Sequence, residues 1–522
     1  MTRLLRCSLL ALGLAAATAA ASDVACDIAI NGGRVIDPAT RLDAVRHIGI
    51  VGDRIVAVSE TPLDAARVIN ATGKVVSPGF IDLHAHGQSV LAARVQALDG
   101  VTTALELEGG VLPVAAWYES AAEQGRPINY GASVAWAHAR IAAMVGTSPD
   151  GDPGYFRAAF SDPRWQTQIA DPAQLQQILD QVRDGLDEGG LGIGILLGYA
   201  PGTSRKEYHA LAALAAERAV PTFTHARYLS MLEPQSSFEG MAEIVAAAAS
   251  TGAHAHIVHL NSMSLHDIDN IAPLIAGAQR NGVRLTTEAY PYGAGSTGIG
   301  AAMFRGPDWR ERVGGVTAAN FDVGGRRLTE EEFARLQEEA PGTGTVVHFL
   351  ELGNPADRAV LDRAVLFPGG VIASDGGDWL LDGKPVPPQT WPLPENAWSH
   401  PRSAGTFSRF LRMYVRDTQA IPLLGAIERV SYGPARILED AVPQMRRKGR
   451  LQPGADADIV VFDPERVGDR ATYEAPARTS TGIEYVLVNG EVLVADGVLD
   501  PGAMPGRAIR NAPRTSTDSG AR

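Results

Sequence analysis

The sequence predicts an α/β protein: a (β/α)8 TIM-like barrel joined to a small β-sandwich that both ends of the chain build together. The chain has 522 residues, more than a single hydrophobic core usually supports. Between residues 75 and 440, eight apolar runs alternate with helical patterns, and on either side short β-branched runs alternate with glycine and aspartate turns. A doubly wound open sheet would show the same alternation, but no G-x-G-x-x-G follows the first run.

The barrel is predicted over residues 75–440, with insertions near 304–345 and 377–399. The eight predicted strands are VVSPGFIDLHAH, GVTTALELE, INYGASVAW, LGIGILLGY, PTFTHARY, HAHIVHLNS, VRLTTEAYPY and GGVIASDGG. Between the third and fourth runs, AQLQQILDQVRDGLDEGG repeats apolar residues every three or four positions, as one face of a helix does. Each strand is therefore expected to be followed by a helix that covers the outside of the barrel.

The small domain is predicted from residues 22–74 and 441–510. In both segments short strand-like runs are separated by turn residues, and Asn489-Gly490 is a type I′ hairpin signal. Residues 511–522 are predicted to form a disordered tail.

The first residues, MTRLLRCSLLALGLAAATAAASD, predict a signal peptide over residues 1–21. Two arginines precede an apolar run that ends in A-x-A sites. A membrane anchor is the alternative, but the apolar run is short and ends in small residues. We therefore expect an exported protein, periplasmic or extracellular, with no membrane anchor. Removal of Cys7 with the signal leaves Cys26 as the remaining cysteine, so no intrachain disulfide is expected.

The formal net charge of −13 argues against a nucleic-acid or anionic-membrane surface. Phosphate groups would be repelled by such a protein rather than neutralised. The expected partner is a small molecule, and the sequence carries no signal for an oligomeric state.

Histidines and carboxylates follow several of the predicted strands. In GFIDLHAHGQS, His84 and His86 alternate and so share one strand face. Because the carboxyl ends of barrel strands meet at one rim, residues at these ends are expected to converge. The residues at predicted strand ends are His84, His86, Glu106, Glu108, His225, His259 and Asp375. This nitrogen and oxygen set suits zinc, as one or two divalent ions, with iron or manganese as alternatives.

Longer motifs carry a family resemblance. The segments PGFIDLHAHG, THARY, HLNS and ASDGG resemble the amidohydrolase superfamily over nearly the whole chain. The segments TTEAYPYGAGST, LGYAPGTS, HPRSAGTF, YGPARIL and LQPGADADIVVFDP are similar to its D-aminoacylase branch, whose members remove acyl groups from N-acyl-D-amino acids. The resemblance implies a metal-dependent hydrolase of linear C–N amide bonds whose substrate is an N-acyl-amino acid, with the D configuration included.

The resemblance also implies a ligand set. His84 and His86 would hold one metal, His225 and His259 a second, and Asp375 would lie beside both. No lysine lies on a central strand, and the cysteine that this branch places after the second strand is absent. Glu108 is therefore predicted as the bridging ligand with Glu106 as the alternative, and the other glutamate is expected to orient a histidine.

The expected chemistry is hydrolysis by an activated water. A divalent cation lowers the pKa of a bound water from about 15.7 toward 7, and the same charge polarises the amide carbonyl. Asp375 is predicted to accept the water's proton and pass it to the departing nitrogen.

Four residues are predicted to contact the substrate. By resemblance, Arg402 would bind the substrate carboxylate. Tyr290, in AYPYGAGST, is predicted to donate its hydroxyl to the substrate. Arg227, two residues after His225, is a second candidate cation. Asn261 stands where relatives commonly carry a carboxylate-binding lysine.

Two other functions remain open on the sequence. A hydrolase of cyclic amides, such as a hydantoinase or dihydroorotase, would use the same metal centre. A non-catalytic periplasmic barrel that binds a ligand is the alternative from a different class.

Overall fold

The computed structural model describes residues 25–151 and 154–512. The predicted signal peptide, residues 1–21, lies outside the described residues, as does most of the predicted tail. The tail prediction is wrong at its start, because the backbone N–H of Asn511 donates to Gly189 and its side-chain amide donates to Gly190. Within the described residues, no helix combines the length and the hydropathy needed to cross a membrane.

The predicted barrel is confirmed. Its eight parallel strands, in the described part of the chain, are Phe80–Asp82, Val101–Val111, Asn129–Ala135, Ile193–Leu196, Thr222–His225, Ala255–Ile257, Leu285–Ala289 and Val371–Ile372. We call them the first to the eighth barrel strand. They are adjacent in chain order, as expected when every crossover is a helix.

The first and eighth strands close the barrel through side-chain and backbone hydrogen bonds. The buried carboxylate of Asp82 accepts hydrogen bonds from the N–H groups of Ser374, at 2.9 Å, and His84, at 3.1 Å. Beyond it, the N–H of Asp375 donates to the carbonyl of His84 at 2.7 Å. This seam places the residues that follow the first and eighth strands next to each other.

Helices lie between the barrel strands and after them. In residues 25–151 and 154–512, the α-helices are Val90–Ala97, Val114–Gln124, Trp136–Val145, Tyr155–Ala158, Arg164–Thr167, Pro172–Asp187, Arg205–Arg218, Ser237–Thr251, Leu260–Ser264, Ile268–Arg280, Trp309–Arg312, Glu330–Glu339, Pro355–Val365, Arg402–Phe410, Leu423–Ile427 and Gly433–Leu438. The helix expected from its apolar stripe is Pro172–Asp187, which Asp171 caps with its side chain.

The two ends of the chain build one nine-stranded sheet in the described part of the molecule. Its strands are Cys26–Asp37, Leu42–Val51, Arg54–Ser59, Ala65–Asn70, Val75–Pro78, Ile459–Phe462, Ile483–Val488, Glu491–Ala495 and Val498–Leu499. Val75–Pro78 pairs antiparallel with Ile459–Phe462, and this contact joins the two ends. The barrel therefore starts at Phe80, and not at the predicted residue 75.

Buried polar groups fix this sheet to the barrel. The Nζ of Lys448 lies 2.6 Å from Asp458, whose carboxylate also accepts a hydrogen bond from Asn129 of the third barrel strand at 3.0 Å. Lys448 is 3% exposed, so its charge has lost most of its hydration and the paired carboxylate compensates for that loss.

Both predicted insertions contain strands that pair outside the barrel. The first extends beyond its predicted bounds of 304–345, because its four-stranded sheet is formed by Ala294–Gly298, Phe321–Val323, Arg326–Arg327 and Gly344–His348. The second contains the hairpin of Leu380–Leu381 and Lys384–Pro385.

Candidate metal centre

The strand-end residues converge at one rim of the barrel, in two groups of potential metal ligands. The first group is His84, His86 and Asp375, and the second is Glu108, His225 and His259. Within each group the ligand atoms lie within 4.8 Å of one another. Residues up to 291 positions apart in the chain therefore come together because the barrel places them at the carboxyl ends of its strands.

Glu108 lies between the two groups. Its Oε2 is 3.1 Å from Nε2 of His84 and 3.3 Å from Nε2 of His86. Its Oε1 is 2.9 Å from Nδ1 of His225 and 2.9 Å from Nε2 of His259. One carboxylate thus presents one oxygen to each group, which is the geometry of a bridging ligand.

Glu106 has a different role. Its Oε2 lies 2.8 Å from Nδ1 of His86, and its Oε1 accepts the N–H of Gly109 at 3.0 Å. The side chain therefore contacts the outer nitrogen of a ligand and fixes the ring. The structure favours Glu108 over Glu106 as the bridge.

The first group fits a divalent cation. The Nε2 atoms of His84 and His86 are 3.1 Å apart and face the same oxygen of Asp375, at 3.5 and 3.4 Å. Imidazole nitrogens and carboxylate oxygens gathered in this way form a set that suits zinc, iron or manganese.

The electrostatics of the two groups favour a cation as well. Burial by itself would lower the pKa values of His84 and His86, but the surrounding carboxylates outweigh it and raise both pKa values well above the ordinary one. Burial opposes ionisation of Glu108, yet His84, His225 and His259 hold its pKa well below the ordinary value. Ionised carboxylates here create a negative potential that a divalent cation would neutralise.

The carboxylate of Asp375 belongs to the first ligand group and pairs with Arg402. Burial would raise the pKa of Asp375, but Arg402 and His84 outweigh it and lower the pKa. Nη2 of Arg402 lies 2.8 Å from Oδ1 of Asp375. The backbone of Asp375 has φ of 52° and that of His259 has φ of 29°, a region that non-glycine residues rarely adopt and that is found at functional sites.

Arg402 is buried at the edge of the first group with unused hydrogen-bond donors. Its guanidinium carbon lies 4.7 Å from the centre of the Tyr290 ring. Nε and Nη1 of Arg402 have no hydrogen-bond partner among the described residues. Burial raises the pKa of Tyr290 to about 12, so its hydroxyl keeps its proton and can donate. That Arg402 and Tyr290 contact the substrate stays a prediction, and this geometry is compatible with it.

The prediction for Arg227 is wrong. Its Nε and Nη2 each lie 2.7 Å from the carboxylate of Glu243, and its Nη1 donates to the carbonyl oxygens of Pro201 and Thr203. Every nitrogen of this buried guanidinium is therefore used within the fold, and none is left for a ligand.

Asn261 is also used by the backbone. Its Oδ1 accepts the N–H of Tyr290 at 3.2 Å, and its Nδ2 lies 3.4 Å from the carbonyl of Tyr292. The structure therefore gives Asn261 the role of holding the Tyr290–Tyr292 segment, and not the predicted role of contacting the substrate.

Sequence reasoning missed Glu288, on the seventh barrel strand. Its Oε1 lies 2.5 Å from Nδ1 of His84, and its Oε2 lies 3.0 Å from Nε2 of His256. A signal was available, because Glu288 is two residues before Tyr290 in TTEAYPY and alternation predicts a common face.

A pocket opens beside both ligand groups. Its wall combines the metal-ligand side chains with hydroxyl groups and apolar side chains, namely those of Tyr199, Leu229, Ser262, Met263, Tyr290, Ser296, Thr297, Met303 and Phe349. The pocket can thus present an amide to His86, Glu108, His225, His259 and Asp375, which also line it.

Comparison with known proteins agrees with this geometry. The chain is 27% identical to the N-acyl-D-glutamate deacylase of Alcaligenes xylosoxydans xylosoxydans over 93% of this chain and 96% of the relative. It is 26% identical to the D-aminoacylase of the same organism, over 89% of this chain and 93% of the relative.

Solved structures give the same result. The N-acyl-D-glutamate deacylase from Bordetella bronchiseptica, complexed with zinc and a phosphonate inhibitor, superimposes with a TM-score of 0.72 and 26% identity, over 93% of this chain and all of the other. A D-aminoacylase of 24% identity has a TM-score of 0.74 over 93% of this chain and all of the other, and it supports the fold alone. The profile of the amidohydrolase family matches residues 67–363 and 261–494. With its fold and its two bridged ligand groups, this chain belongs to the amidohydrolase family.

Proposed function

We propose that this protein is a metal-dependent hydrolase that removes the acyl group from an N-acyl-D-amino acid with a free carboxylate. One observation carries the proposal: Glu108 presents an oxygen to each of two ligand groups, and the ion pair of Asp375 and Arg402 lies directly beside them. The D configuration is supported by the relatives that match nearly the whole chain, which are named as D-amino-acid deacylases.

The two groups would hold one or two divalent ions, with zinc as the proposed metal. His84, His86 and Asp375 would hold one ion, His225 and His259 another, and Glu108 would join both. A divalent cation lowers the pKa of a coordinated water from about 15.7 to about 7 and polarises a carbonyl oxygen. Glu106 contacts the outer nitrogen of His86 and would keep its other ring nitrogen directed toward the ion.

Asp375 would move the proton. Hydrolysis forms a bond between the water oxygen and the acyl carbon and breaks the bond between that carbon and nitrogen. Asp375 accepts the proton that the water loses and gives it to the departing nitrogen, so that a neutral amine leaves. Arg402 favours the ionised form that begins this sequence.

Arg402 would also orient the substrate. Its Nε and Nη1 are free of partners among the described residues while Nη2 holds Asp375. A planar guanidinium with two free donors matches a carboxylate. The substrate amide would then lie next to the proton carrier.

The two alternatives are not favoured. D-hydantoinase structures share only the fold, with a TM-score of 0.54 and 17% identity, and the ring of a hydantoin carries no carboxylate for Arg402. A non-catalytic barrel has no need of a complete ligand set with a proton carrier beside it.

The test is an assay of the zinc-loaded protein on N-acetyl-D-amino acids, N-acetyl-L-amino acids, dipeptides and hydantoins. We expect turnover of N-acetyl-D-amino acids, and we expect Asp375→Asn to lower kcat by about 10²–10⁴-fold. Turnover of hydantoins alone would overturn the proposed substrate class. A zinc-loaded protein that turns over none of these compounds would overturn the proposal that the protein is a hydrolase.

We also propose that the protein is exported. The signal-like composition of residues 1–21 supports this proposal. Mass spectrometry of the protein from a periplasmic fraction is expected to show a chain that begins near residue 22. A full-length chain confined to the cytoplasm would overturn this.

A further inference from the structure

His84 is held from the side opposite the ligand cluster by a chain of hydrogen bonds. Its Nδ1 lies 2.5 Å from Oε1 of Glu288. The other oxygen of Glu288 lies 3.0 Å from Nε2 of His256, and Nδ1 of His256 lies 2.8 Å from the hydroxyl of Thr286. These groups lie on the sixth and seventh barrel strands, so the rigid sheet itself fixes where Glu288 points.

The chemistry of these partners sets the tautomer of His84. An ionised carboxylate can only accept hydrogen bonds, so the proton of the neutral ring lies on Nδ1 when Nδ1 pairs with Glu288. The lone pair then lies on Nε2, which faces Glu108 and Asp375. His84 is 0% exposed and Glu288 is 2% exposed, so no bulk water competes for this contact.

The two ligand groups differ in whether a carboxylate contacts the outer nitrogens of their histidines. In the first group Glu288 contacts His84 and Glu106 contacts His86. In the second group Nε2 of His225 and Nδ1 of His259, the nitrogens that face away from Glu108, have no hydrogen-bond partner among the described residues. Support by an outer carboxylate is thus concentrated on one of the two groups.

We propose that Glu288 is a positioning residue that fixes the tautomer and ring orientation of His84 and thereby strengthens divalent-cation binding by the His84–His86–Asp375 group. His256 holds Glu288 in turn. The inference rests on the metal centre of the proposed function and adds to it a residue that contacts neither metal nor substrate.

The experiment measures zinc affinity by competition with a chromophoric chelator, for the wild type, Glu288→Gln and Glu288→Ala. Loss of an outer partner of this kind typically weakens metal binding about 10–100-fold. Glu288→Ala is expected to lose more than Glu288→Gln, since glutamine keeps an oxygen that accepts the Nδ1 proton but lacks the charge. The thermal midpoint of metal-free Glu288→Gln is expected to fall, because a neutral amide replaces a buried carboxylate that pairs with His84 and His256.

Asp99→Asn is the matched control. Asp99 is 3% exposed, and its carboxylate accepts hydrogen bonds from Phe407, Ser408 and Ser480 but from none of the ligand residues. This variant is expected to lower the thermal midpoint and to leave zinc affinity unchanged. A loss of affinity in Asp99→Asn equal to that in Glu288→Gln would show a general effect of disturbed packing and would overturn the proposal.

The outcomes separate this inference from the proposed function. Equal zinc affinity in the wild type and Glu288→Gln overturns the role of Glu288 and leaves the hydrolase intact. A wild type that binds no zinc, iron or manganese overturns the proposed function itself. If Glu288→Ala does not fold, the comparison of Glu288→Gln with Asp99→Asn decides.

Discussion

Two buried arginines lie near the ligand groups, and they differ in what their guanidinium groups contact. Arg227 and Arg402 are each 2% exposed. Arg227 uses all of its nitrogens, in a two-pronged pair with Glu243 and in hydrogen bonds to two backbone carbonyl oxygens. Arg402 pairs with Asp375 through Nη2 and leaves Nε and Nη1 without a partner among the described residues. Burial alone therefore does not distinguish an arginine that holds the fold from one that can hold a ligand, whereas unused donors do.

The largest effect is expected from removing Arg227. Arg227→Met would remove the two-pronged partner of Glu243, whose side chain is 13% exposed and whose other cationic neighbour, Arg205, lies 3.9 Å away. Loss of one partner of a buried pair typically lowers the free energy of unfolding by about 3–5 kcal/mol, and we expect a loss near the lower end. Denaturant titration measures the loss. In Arg227→Met/Glu243→Met much of the stability should return, because no unpaired charge remains. A fall in kcat/KM without a fall in stability would mean that Arg227 serves the substrate, and the contrast between the two arginines would disappear.

A smaller effect, on kinetics, is expected from Arg402→Gln. Hydrogen bonds to a charged group contribute about 1.5–3 kcal/mol, so kcat/KM for an N-acetyl-D-amino acid should fall by about 10–150-fold. The matched substrate is the corresponding amino-acid amide, which has no carboxylate. For that substrate the ratio of wild type to variant should be much smaller. An equal fall in kcat/KM for both substrates would mean that Arg402 acts only through its ion pair with Asp375 and does not bind the substrate carboxylate.

The smallest expected effect is a change in pH dependence in the same variant. In the wild type Arg402 helps to lower the pKa of Asp375 against the effect of burial. Without that cation the pKa of Asp375 rises, so the carboxylate is protonated at a higher pH as the pH falls. The acid limb of kcat/KM should therefore move to higher pH in Arg402→Gln, as a pH–rate profile would show. An unmoved limb would mean that another group controls it.

The fold could be predicted from the sequence in large part. The eight apolar runs became the eight barrel strands because a strand buried on both faces must be apolar and a parallel neighbour requires a crossover. The prediction that the barrel begins at residue 75 was wrong, because hydropathy cannot show which strands pair. Val75–Pro78 is as buried as a barrel strand, but it pairs with strands of the nine-stranded sheet that the two chain ends build.

The candidate site was predictable only to the level of which strand ends meet. Alternation places Glu106 and Glu108 on one strand face, and the sequence favoured Glu108 as the bridge only because it lies nearer the strand end. The decision comes from distances: Glu108 contacts His225 and His259, whereas Glu106 contacts His86 and the backbone of Gly109.

The sequence by itself determined the barrel, the joining of the two chain ends in one sheet, and the set of imidazoles and carboxylates that meet at one rim, because strand period and strand order follow from local patterns. Only the tertiary structure decided which of these side chains already had partners. It assigned Arg227 to Glu243, Asn261 to the backbone and Glu288 to His84. Hydrogen bonds act over about 3 Å, and residues that are distant in the chain reach that separation only after the barrel has closed.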